Sequence, residues 1–349
     1  MSRQNSKLTV EPLVKITRGS LVEAIHRGFI AAIDVNGQIV AQLGEIETLT
    51  WFRSAAKPFQ TIPIITSGAA DHFKLTSKEL AVITASHSGE AIHLEVVNSI
   101  LKKVLLTESD LLCGAHAPFD EPSANKLTEE NIQPRQLHNN CSGKHSGMLA
   151  LAKFLGEPTA DYTNPQHQIQ QRILNVLAEF VQVPPNEVAI AIDGCSAPVF
   201  GVSLLSMAKS YSRLVNARST DLAPHLVIAA EKVVEAMTEF PEMVGGSRGR
   251  LDTDLMRVTQ GQVVSKVGAE GVQLLGVKPC QQFPNGLGIA IKIEDGDTRR
   301  ARDPVVIETL RQLGVLSQAQ VESLAAYTTT TLLNHRKLEV GQIRTCFKL

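Results

Sequence analysis

The spacing of hydrophobic and polar residues changes along this chain, and each change predicts a different kind of element. Residues 28–45, GFIAAIDVNGQIVAQLGE, form two apolar runs on either side of Asn36-Gly37. Asn-Gly between apolar runs is typical of a β-hairpin, because its two central positions need positive φ angles. The pattern therefore predicts a hairpin near the start of the chain.

Helical spacing dominates from about residue 75 to residue 240. Apolar residues recur three and four positions apart, which places them on one face of a helix. The predicted helices cover residues 77–86, 92–105, 144–156, 165–181, 198–211 and 226–237. Between them, the Pro- and Asn-containing segment 119–131 is predicted to be a connector, and the apolar residues 188–192 are predicted to be a strand.

The pattern changes again after Gly245-Gly246. Residues 251–278 and 286–296 are short, branched runs separated by glycine, which predicts strands, and helical spacing returns at 303–314 and 317–328. Strands at both ends and helices between them predict an α+β fold with a mainly antiparallel sheet built from both chain ends.

This pattern also predicts a division of the chain. Residues 1–60 and 246–349 are predicted to form an α/β lobe around the central sheet, and residues 61–245 a largely helical lobe. A chain of 349 residues is long enough for two such lobes.

Composition narrows the classes of function. The formal net charge is −1 and only 4% of residues are aromatic, which disfavours nucleic acids and anionic membranes as partners. The longest weakly polar run, residues 197–208, is shorter than the roughly 20 residues of a membrane-spanning helix. The N-terminal residues lack the apolar core of a secretory signal, and five scattered cysteines do not predict a disulfide framework. These features predict a reduced, cytoplasmic protein.

The stretch RSAAKPFQ holds the first candidate for chemistry. Ser54 and Lys57 are three residues apart, so on a helix their side chains lie on one face and the lysine can act as the base of the hydroxyl. Ser-x-x-Lys also occurs at Ser99, Ser123 and Ser206, where the surrounding sequence indicates ordinary helices or a connector. The spacing alone is therefore weak evidence for catalysis.

Three further motifs add polar and sulfur-containing side chains. The segment ASHSGE contains Ser86 and is compatible with either a helix cap or a functional site. The segments LHNNCSGKHSGM and AIDGCSAPVF each contain a cysteine, Cys141 and Cys195. These thiols with His138 or His145 could bind zinc, or they could simply be two small buried side chains.

A fourth motif, SKVG, places Lys266 and Gly268 in a predicted strand far downstream of Ser54-x-x-Lys57. Acyl-serine enzymes related to β-lactamases combine S-x-x-K with a later K-[ST]-G strand. The combination of both motifs around a helical insertion is much more specific than either motif alone.

Together, RSAAKPFQ, ASHSGE, NNCSGKHSGML, DGCSAPVF and SKVGAEG resemble, in order and spacing, the rhizobial-type asparaginase II family. The resemblance extends from about residue 10 to the C-terminus and implies a serine β-lactamase-like fold. It implies Ser54 as nucleophile with Lys57 as its base, and Ser86 with Lys266 as a second Ser-Lys pair. Here the third motif is K-V-G, so the hydroxyl of the β-lactamase motif is missing, which argues against a role towards penicillins.

The same resemblance implies a zinc ion and a substrate. Its ligands are expected to be Cys141, Lys144 and Cys195, with lysine in place of the histidine considered above. The expected activity is hydrolysis of L-asparagine to L-aspartate and ammonia, by a homodimer. Substrate contacts are predicted at Arg53, His145, Asp193 and Gly268. The alternatives are a glutaminase, another β-lactamase-like acyl-serine hydrolase, or a zinc-stabilised binding protein without turnover.

Overall fold

The computed structural model describes residues 9–328 and 330–349. Residues 1–8, which contribute to the prediction that the chain carries no secretory signal, lie outside the described part of the chain.

The first fifty residues form strands. They are β1 (Glu11–Arg18), β2 (Leu21–Ile33), β3 (Ile39–Leu43) and β4 (Leu49–Trp51). The hairpin predicted at Asn36-Gly37 is confirmed, because it joins β2 to β3 and Gly37 has a φ of +87°. A left-handed backbone at this position favours glycine, which has no Cβ to clash.

A mainly helical segment follows, interrupted by two short strands. Its elements in chain order are α1 (Lys57–Thr66), α2 (Ala69–His72), α3 (Ser77–Ile83), α4 (Ala91–Lys103), α5 (Glu121–Glu129), α6 (Ser142–Leu155), α7 (Gln168–Val181), β5 (Ala189–Ile192), β6 (Pro198–Ser203), α8 (Leu204–Val215), α9 (Pro224–Glu239), α10 (Pro241–Val244) and α11 (Leu251–Val258).

The C-terminal part returns to strands. It contains β7 (Val263–Gly268), β8 (Val272–Val277), β9 (Leu287–Ile293), α12 (Asp303–Gln312), α13 (Gln318–Ser323), β10 (Thr330–Leu333) and β11 (Glu339–Thr345).

The main sheet has eight antiparallel strands taken from both ends of the chain. Its order is β10-β11-β1-β2-β9-β8-β7, and β3 pairs with the far end of β2. β2 has thirteen residues, so β1 and β3 share one of its edges while β9 pairs along the other. β4, β6 and β5 form a separate three-stranded sheet. The predicted α+β fold with an antiparallel sheet built from both chain ends is confirmed.

Hydrophobic side chains on both faces of the main sheet are buried, in agreement with the two-residue period of a strand. On β2, Phe29 and Ala31 face the larger core, which the helices α1, α3, α4 and α6 to α9 complete. Ile30 and Ala32 face a second core under α11 and α12. The sheet is therefore a central layer with helices on each side.

Most predicted helices are present, and three segments differ from the prediction. Residues 251–258, predicted as strand, form α11, because Leu251 and Leu255 are one helical turn apart and both pack into the core. Residues 198–203 form the buried strand β6 rather than the start of a helix, and the helix α8 begins only after the Ser203 cap. The connector predicted at 119–131 contains α5, which Asp120 caps by accepting from Ser123 N–H.

None of the helices in the described part of the chain combines the length and apolar character that crossing a membrane requires.

Candidate active site

The S-x-x-K motif lies where the chain leaves the small sheet. After β4, residues Arg53–Ala56 form one 3₁₀ turn, and Lys57 is the first residue of α1. Pro58 is tolerated at this position because the first helical residues need no N–H donor within the helix. Arg53 has a φ of +50°, a left-handed conformation that costs free energy in a residue with a Cβ.

The hydroxyl of Ser86 contacts the amines of two lysines. Its Oγ lies 3.1 Å from Lys57 Nζ and 2.9 Å from Lys266 Nζ, and all three side chains are at most 3% exposed. Lys57 Nζ also donates to Ala85 O, and Lys266 Nζ to Val267 O. The predicted pair of Ser86 and Lys266 is therefore in direct contact, and Lys57 contacts the same hydroxyl.

Ser54 is placed differently from Ser86. It is partly exposed, and no hydrogen bond joins its hydroxyl to Lys57 among residues 9–328 and 330–349. Lys57 N–H donates to Ser54 O, so the two residues are neighbours on the turn, but the lysine side chain points to Ser86.

Lys266 lies on β7, the edge strand of the main sheet. The buried carboxylate of Asp252, at the start of α11, accepts hydrogen bonds from Ser265 Oγ at 2.7 Å and Val267 N at 3.0 Å. These bonds hold the strand on either side of the lysine. Gly268 lets this strand approach the turn before Ser54, because a Cβ there would lie 2.7 Å from Phe52 O. Close packing therefore accounts for this glycine, and its predicted contact with substrate stays a prediction.

The two lysines have lowered pKa values. Burial lowers the pKa of Lys57, although the nearby thiols of Cys141 and Cys195 act in the opposite direction. Burial also lowers the pKa of Lys266 well below its usual value; Asp252 opposes this shift and the charge of Lys57 adds to it. A lysine with a lowered pKa can be neutral near physiological pH, as a general base must be.

A cluster of two thiols and an amine lies beside this site. Lys144 Nζ is 2.9 Å from Cys195 Sγ, and Cys141 is buried near both groups and affects the pKa of Cys195. Cys141 caps the start of α6, which carries Lys144 one turn later, and Cys195 lies on the turn after β5. α6 can lie against α3 because Gly143 has no Cβ, which would otherwise clash with Val82 O.

This cluster fits a metal only if lysine is a ligand. Within the described residues, no three His, Cys, Asp or Glu side chains are grouped to hold a metal ion. His138 Nδ1 accepts from Arg135 N–H at 2.9 Å and so is already engaged. Two cysteines with Lys144 therefore suit a cation better than the alternative set with His138.

Cys195 and Lys144 shift each other's pKa values in the directions that favour an ion pair. Hydrogen bonding from Cys141 lowers the pKa of Cys195, and the ammonium of Lys144 lowers it further. Although burial opposes it, the thiolate of Cys195 raises the pKa of Lys144. A bound divalent cation would replace the ammonium as the partner of the thiolate, and Lys144 would then lose its proton.

The other predicted substrate contacts surround this cluster. Arg53 donates from Nε to Asp193 Oδ1 at 3.0 Å, which joins the turn before Ser54 to the turn that carries Cys195. His145 is fully buried, Nδ1 lies 2.7 Å from Tyr162 Oη, and Nε2 has no hydrogen-bond partner in the described part of the chain. Burial lowers the pKa of His145 to about 4, so the ring is neutral.

Two residues of the site were missed by sequence reasoning. Asp252 supports Lys266, and Arg250 donates from Nη2 to Ser86 O at 2.8 Å. Asp252 lies in the segment predicted as strand, and Arg250 lies directly before it. An alternating charge pattern, Arg-x-Asp-x-Asp, directly after a Gly-rich turn was the only available signal.

Comparison with known proteins gives one family. The model of L-asparaginase II matches residues 14–345. No curated protein matches the chain.

Among solved structures, the chain is similar to a probable glutaminase from Bacillus subtilis in complex with 6-diazo-5-oxo-L-norleucine, with 14% identity, 76% of each chain covered and a TM-score of 0.34. It is also similar to a β-lactamase from Burkholderia ambifaria, with 14% identity, 86% of this chain and 92% of that chain covered, and a TM-score of 0.33. At these TM-scores the alignments carry no weight for substrate or mechanism.

The family model covers almost the whole described chain and includes every motif that forms the two buried clusters. The chain belongs to the L-asparaginase II family of amidohydrolases.

Proposed function

We propose that this protein hydrolyses L-asparagine to L-aspartate and ammonia through a serine acyl-enzyme. The observation that carries the proposal is the hydroxyl of Ser86, which lies within 3.1 Å of the amines of both Lys57 and Lys266. Lys57, Ser86 and Lys266 are buried and able to exchange protons. Ser54 lies on the turn directly before Lys57. This arrangement suits acyl transfer better than simple ligand binding.

In the acylation step, Ser54 Oγ attacks the side-chain amide carbon of asparagine. Its proton passes to Lys57, and Ser86 relays protons between Lys57 and Lys266. The carbon–nitrogen bond then breaks, and a proton from this relay reaches the leaving nitrogen, so that ammonia departs. For this sequence, the side chain of Lys57 must turn towards Ser54 to accept its proton and then return to Ser86 to pass the proton on.

In the second step, water attacks the β-aspartyl ester. The lysine that is neutral at this stage accepts the proton of the water, the ester bond breaks, and Ser54 recovers its proton as L-aspartate is released. Burial keeps both amines away from bulk water, which favours their neutral form during the cycle.

Zinc would be held by Cys141, Lys144 and Cys195. When bound, a zinc ion supplies a Lewis acid to a polar group of the substrate. Around it, Arg53 and Asp193 orient the turn that carries Cys195, and His145 offers a neutral ring nitrogen to the substrate.

The direct test measures ammonia release from L-asparagine and from L-glutamine, and the colour change that accompanies ring opening of a chromogenic β-lactam. We expect turnover of asparagine, and we expect Ser54→Ala to lower kcat by several orders of magnitude, because loss of a nucleophile removes the whole mechanism. Ser206→Ala is the matched control, since Ser206 and Lys209 share the same spacing on α8 and, in the described part of the chain, the hydroxyl of Ser206 is hydrogen-bonded only to Ser203.

Faster ammonia release from glutamine than from asparagine would make glutamine the preferred substrate. If Ser54→Ala kept wild-type turnover and Ser86→Ala abolished it, Ser86 would be the nucleophile. Absence of turnover with all three compounds would favour a binding protein.

A further inference from the structure

A cavity of about 500 Å³ is lined in part by Ser88, two residues after Ser86, and does not include the thiol cluster. Its walls come from the start of α5, the turn before α11, the end of β7 and the residues before α12. Four arginines line it: Arg248, Arg250, Arg299 and Arg302. None of these residues belongs to the motifs described above.

Two of the four arginines are already paired. Arg248 Nη2 lies 2.8 and 2.9 Å from the two carboxylate oxygens of Asp120, and Arg302 Nε lies 2.9 Å from Asp303 Oδ1. The carboxylates of Asp120 and Asp303 are therefore already paired with these two arginines.

The other two arginines have no such partner. Within the described chain, no carboxylate lies within ion-pair distance of Arg250 or Arg299. Asp252 also lines the cavity, but it already accepts from Ser265, Gln273 and Val267. Glu121 is the remaining carboxylate and lies exposed at the rim.

Arg250 is held in place by uncharged groups. Its Nη1 donates to Ser88 Oγ at 2.8 Å and to Gly245 O at 3.0 Å, and its Nη2 donates to Ser86 O at 2.8 Å. Burial lowers the pKa of Arg250, and the nearby carboxylate of Asp252 opposes this shift without forming an ion pair with the guanidinium. Fixed in this way, it presents an ordered positive group to the cavity.

We propose that this cavity binds a small molecule through an anionic group, a carboxylate or a phosphate, on the guanidinium groups of Arg250 and Arg299. Guanidinium groups bind both anions through paired, charge-assisted hydrogen bonds. The volume admits a molecule of metabolite size.

Arg250 connects the cavity to the catalytic site. Arg250 Nη2 donates to the backbone carbonyl of Ser86, so an anion bound to the same guanidinium weakens that hydrogen bond, which helps to hold Ser86 between the two lysines. The cavity is therefore placed to regulate turnover.

The test is isothermal titration calorimetry of the full chain with sodium phosphate and, separately, with sodium succinate, at constant ionic strength. We expect saturable binding of at least one anion to the wild type. Arg299→Gln should weaken it by about tenfold or more, the factor that corresponds to one charge-assisted hydrogen bond. Arg336→Gln removes an exposed arginine elsewhere and should leave the binding unchanged.

Binding of phosphate alone identifies a phosphorylated ligand, and binding of succinate alone identifies a carboxylate ligand. Absence of binding by both anions, or equal affinity of the wild type and Arg299→Gln, would overturn the proposal. Arg250→Lys is a second variant, expected to lower both anion affinity and kcat.

These results are separable from the proposed activity. An anion that binds to the catalytic site instead would bind equally well to Arg299→Gln. Ammonia release from asparagine, measured on the same samples, reports the activity alone.

Discussion

At the scale of single residues, the charge of Lys57 and Lys266 decides whether Ser86 can pass on a proton. Two ammonium groups on one buried hydroxyl repel each other, and burial disfavours both charges. Asp252 opposes this effect for Lys266, so the pair can keep one proton while losing the other. When one lysine is neutral and the other is charged, the pair can both accept a proton and donate one.

This arrangement predicts a pH dependence. Because both pKa values are lowered, the pair loses its first proton below the ordinary lysine pKa, and kcat should rise with pH through that transition. Lys266→Met removes the like charge, so Lys57 should hold its proton to higher pH and the rising limb should move upward. The measurement is a pH–rate profile of ammonia release for both proteins.

The matched control is Lys102→Met, which removes an exposed lysine of α4. Its profile should coincide with that of the wild type. A rising limb that stays in place or moves to lower pH in Lys266→Met would show that the two lysines do not titrate as one unit.

The thiol cluster leads to a second prediction at this scale. We expect about one zinc per chain, lost in Cys141→Ala and in Cys195→Ala, because each removes one of only two thiolates. His138→Ala should keep the metal, since that ring is engaged with Arg135 N–H. Metal analysis of the purified proteins by mass spectrometry provides the measurement.

The pH dependence of metal binding checks the same ligand set independently. Lys144 and the thiols must lose protons to bind a cation, so zinc affinity should rise with pH and binding should release protons. Zinc content that survives in both cysteine variants, or that is lost in His138→Ala, would contradict this ligand set.

Motif reasoning predicted most residues of the site but not their contacts. Ser86, Lys57 and Lys266 were named from three separate motifs, and the structure brings them to one hydroxyl. The sequence could not show that Lys57 faces Ser86 rather than Ser54, because that depends on how the end of α3 lies against α1. Arg250 and Asp252 carry no motif and act only through long-range contacts.

At the scale of elements, local pattern succeeded where one face is clearly apolar. The Asn-Gly hairpin and α7 were predicted because each has a strong period of its own. The prediction failed for β6, because a strand that is buried on both faces lacks the alternation of apolar and polar residues. It also failed for α5, because a proline in the first turn of a helix resembles the proline of a connector.

The contact between α6 and α3 gives an element-scale prediction. Gly143→Ala places a methyl group against Val82 O, so α6 must move outward and displace Cys141 and Lys144. We expect the free energy of unfolding to fall by about 1–3 kcal/mol, the usual cost of overpacking, together with weaker zinc binding. Thermal unfolding and metal analysis measure the two effects.

Lys153→Ala, on the exposed side of the same helix, is the control and should change neither quantity. If Gly143→Ala bound zinc and unfolded like the wild type, close packing of the two helices would not be what places the thiol cluster.

At the scale of the whole molecule, the site needs parts that are far apart in the chain. Lys57 follows the first strands, Ser86 lies in the helical segment, and Lys266 lies on the edge strand from the C-terminal part. Because α8, from the middle of the chain, packs against β2, β8 and β9, the helical segment and the main sheet share one core. The predicted division at residues 60 and 245 stays a prediction.

The predicted homodimer also belongs to this scale. The small sheet has two edge strands, β4 and β5, and exposes Leu49, Trp51, Ile190 and Ile192, which are 38–63% exposed. Apolar edge strands are usually covered in native proteins, and here β4 ends two residues before Arg53 and β5 ends directly before Asp193. We therefore place the contact between two copies at this sheet, next to the site.

Sedimentation velocity tests this contact. We expect the wild type to sediment with twice the mass of one chain. Leu49→Glu and Ile192→Glu should each shift it towards the monomer, because a buried unpaired carboxylate opposes association. Leu105→Glu changes an apolar side chain that is 86% exposed on the helical part and should leave the dimer intact. A monomeric wild type, or a dimer unaffected by either change in the small sheet, would remove this sheet as the interface; a dimer broken only by Leu105→Glu would move the interface to the helical part of the molecule.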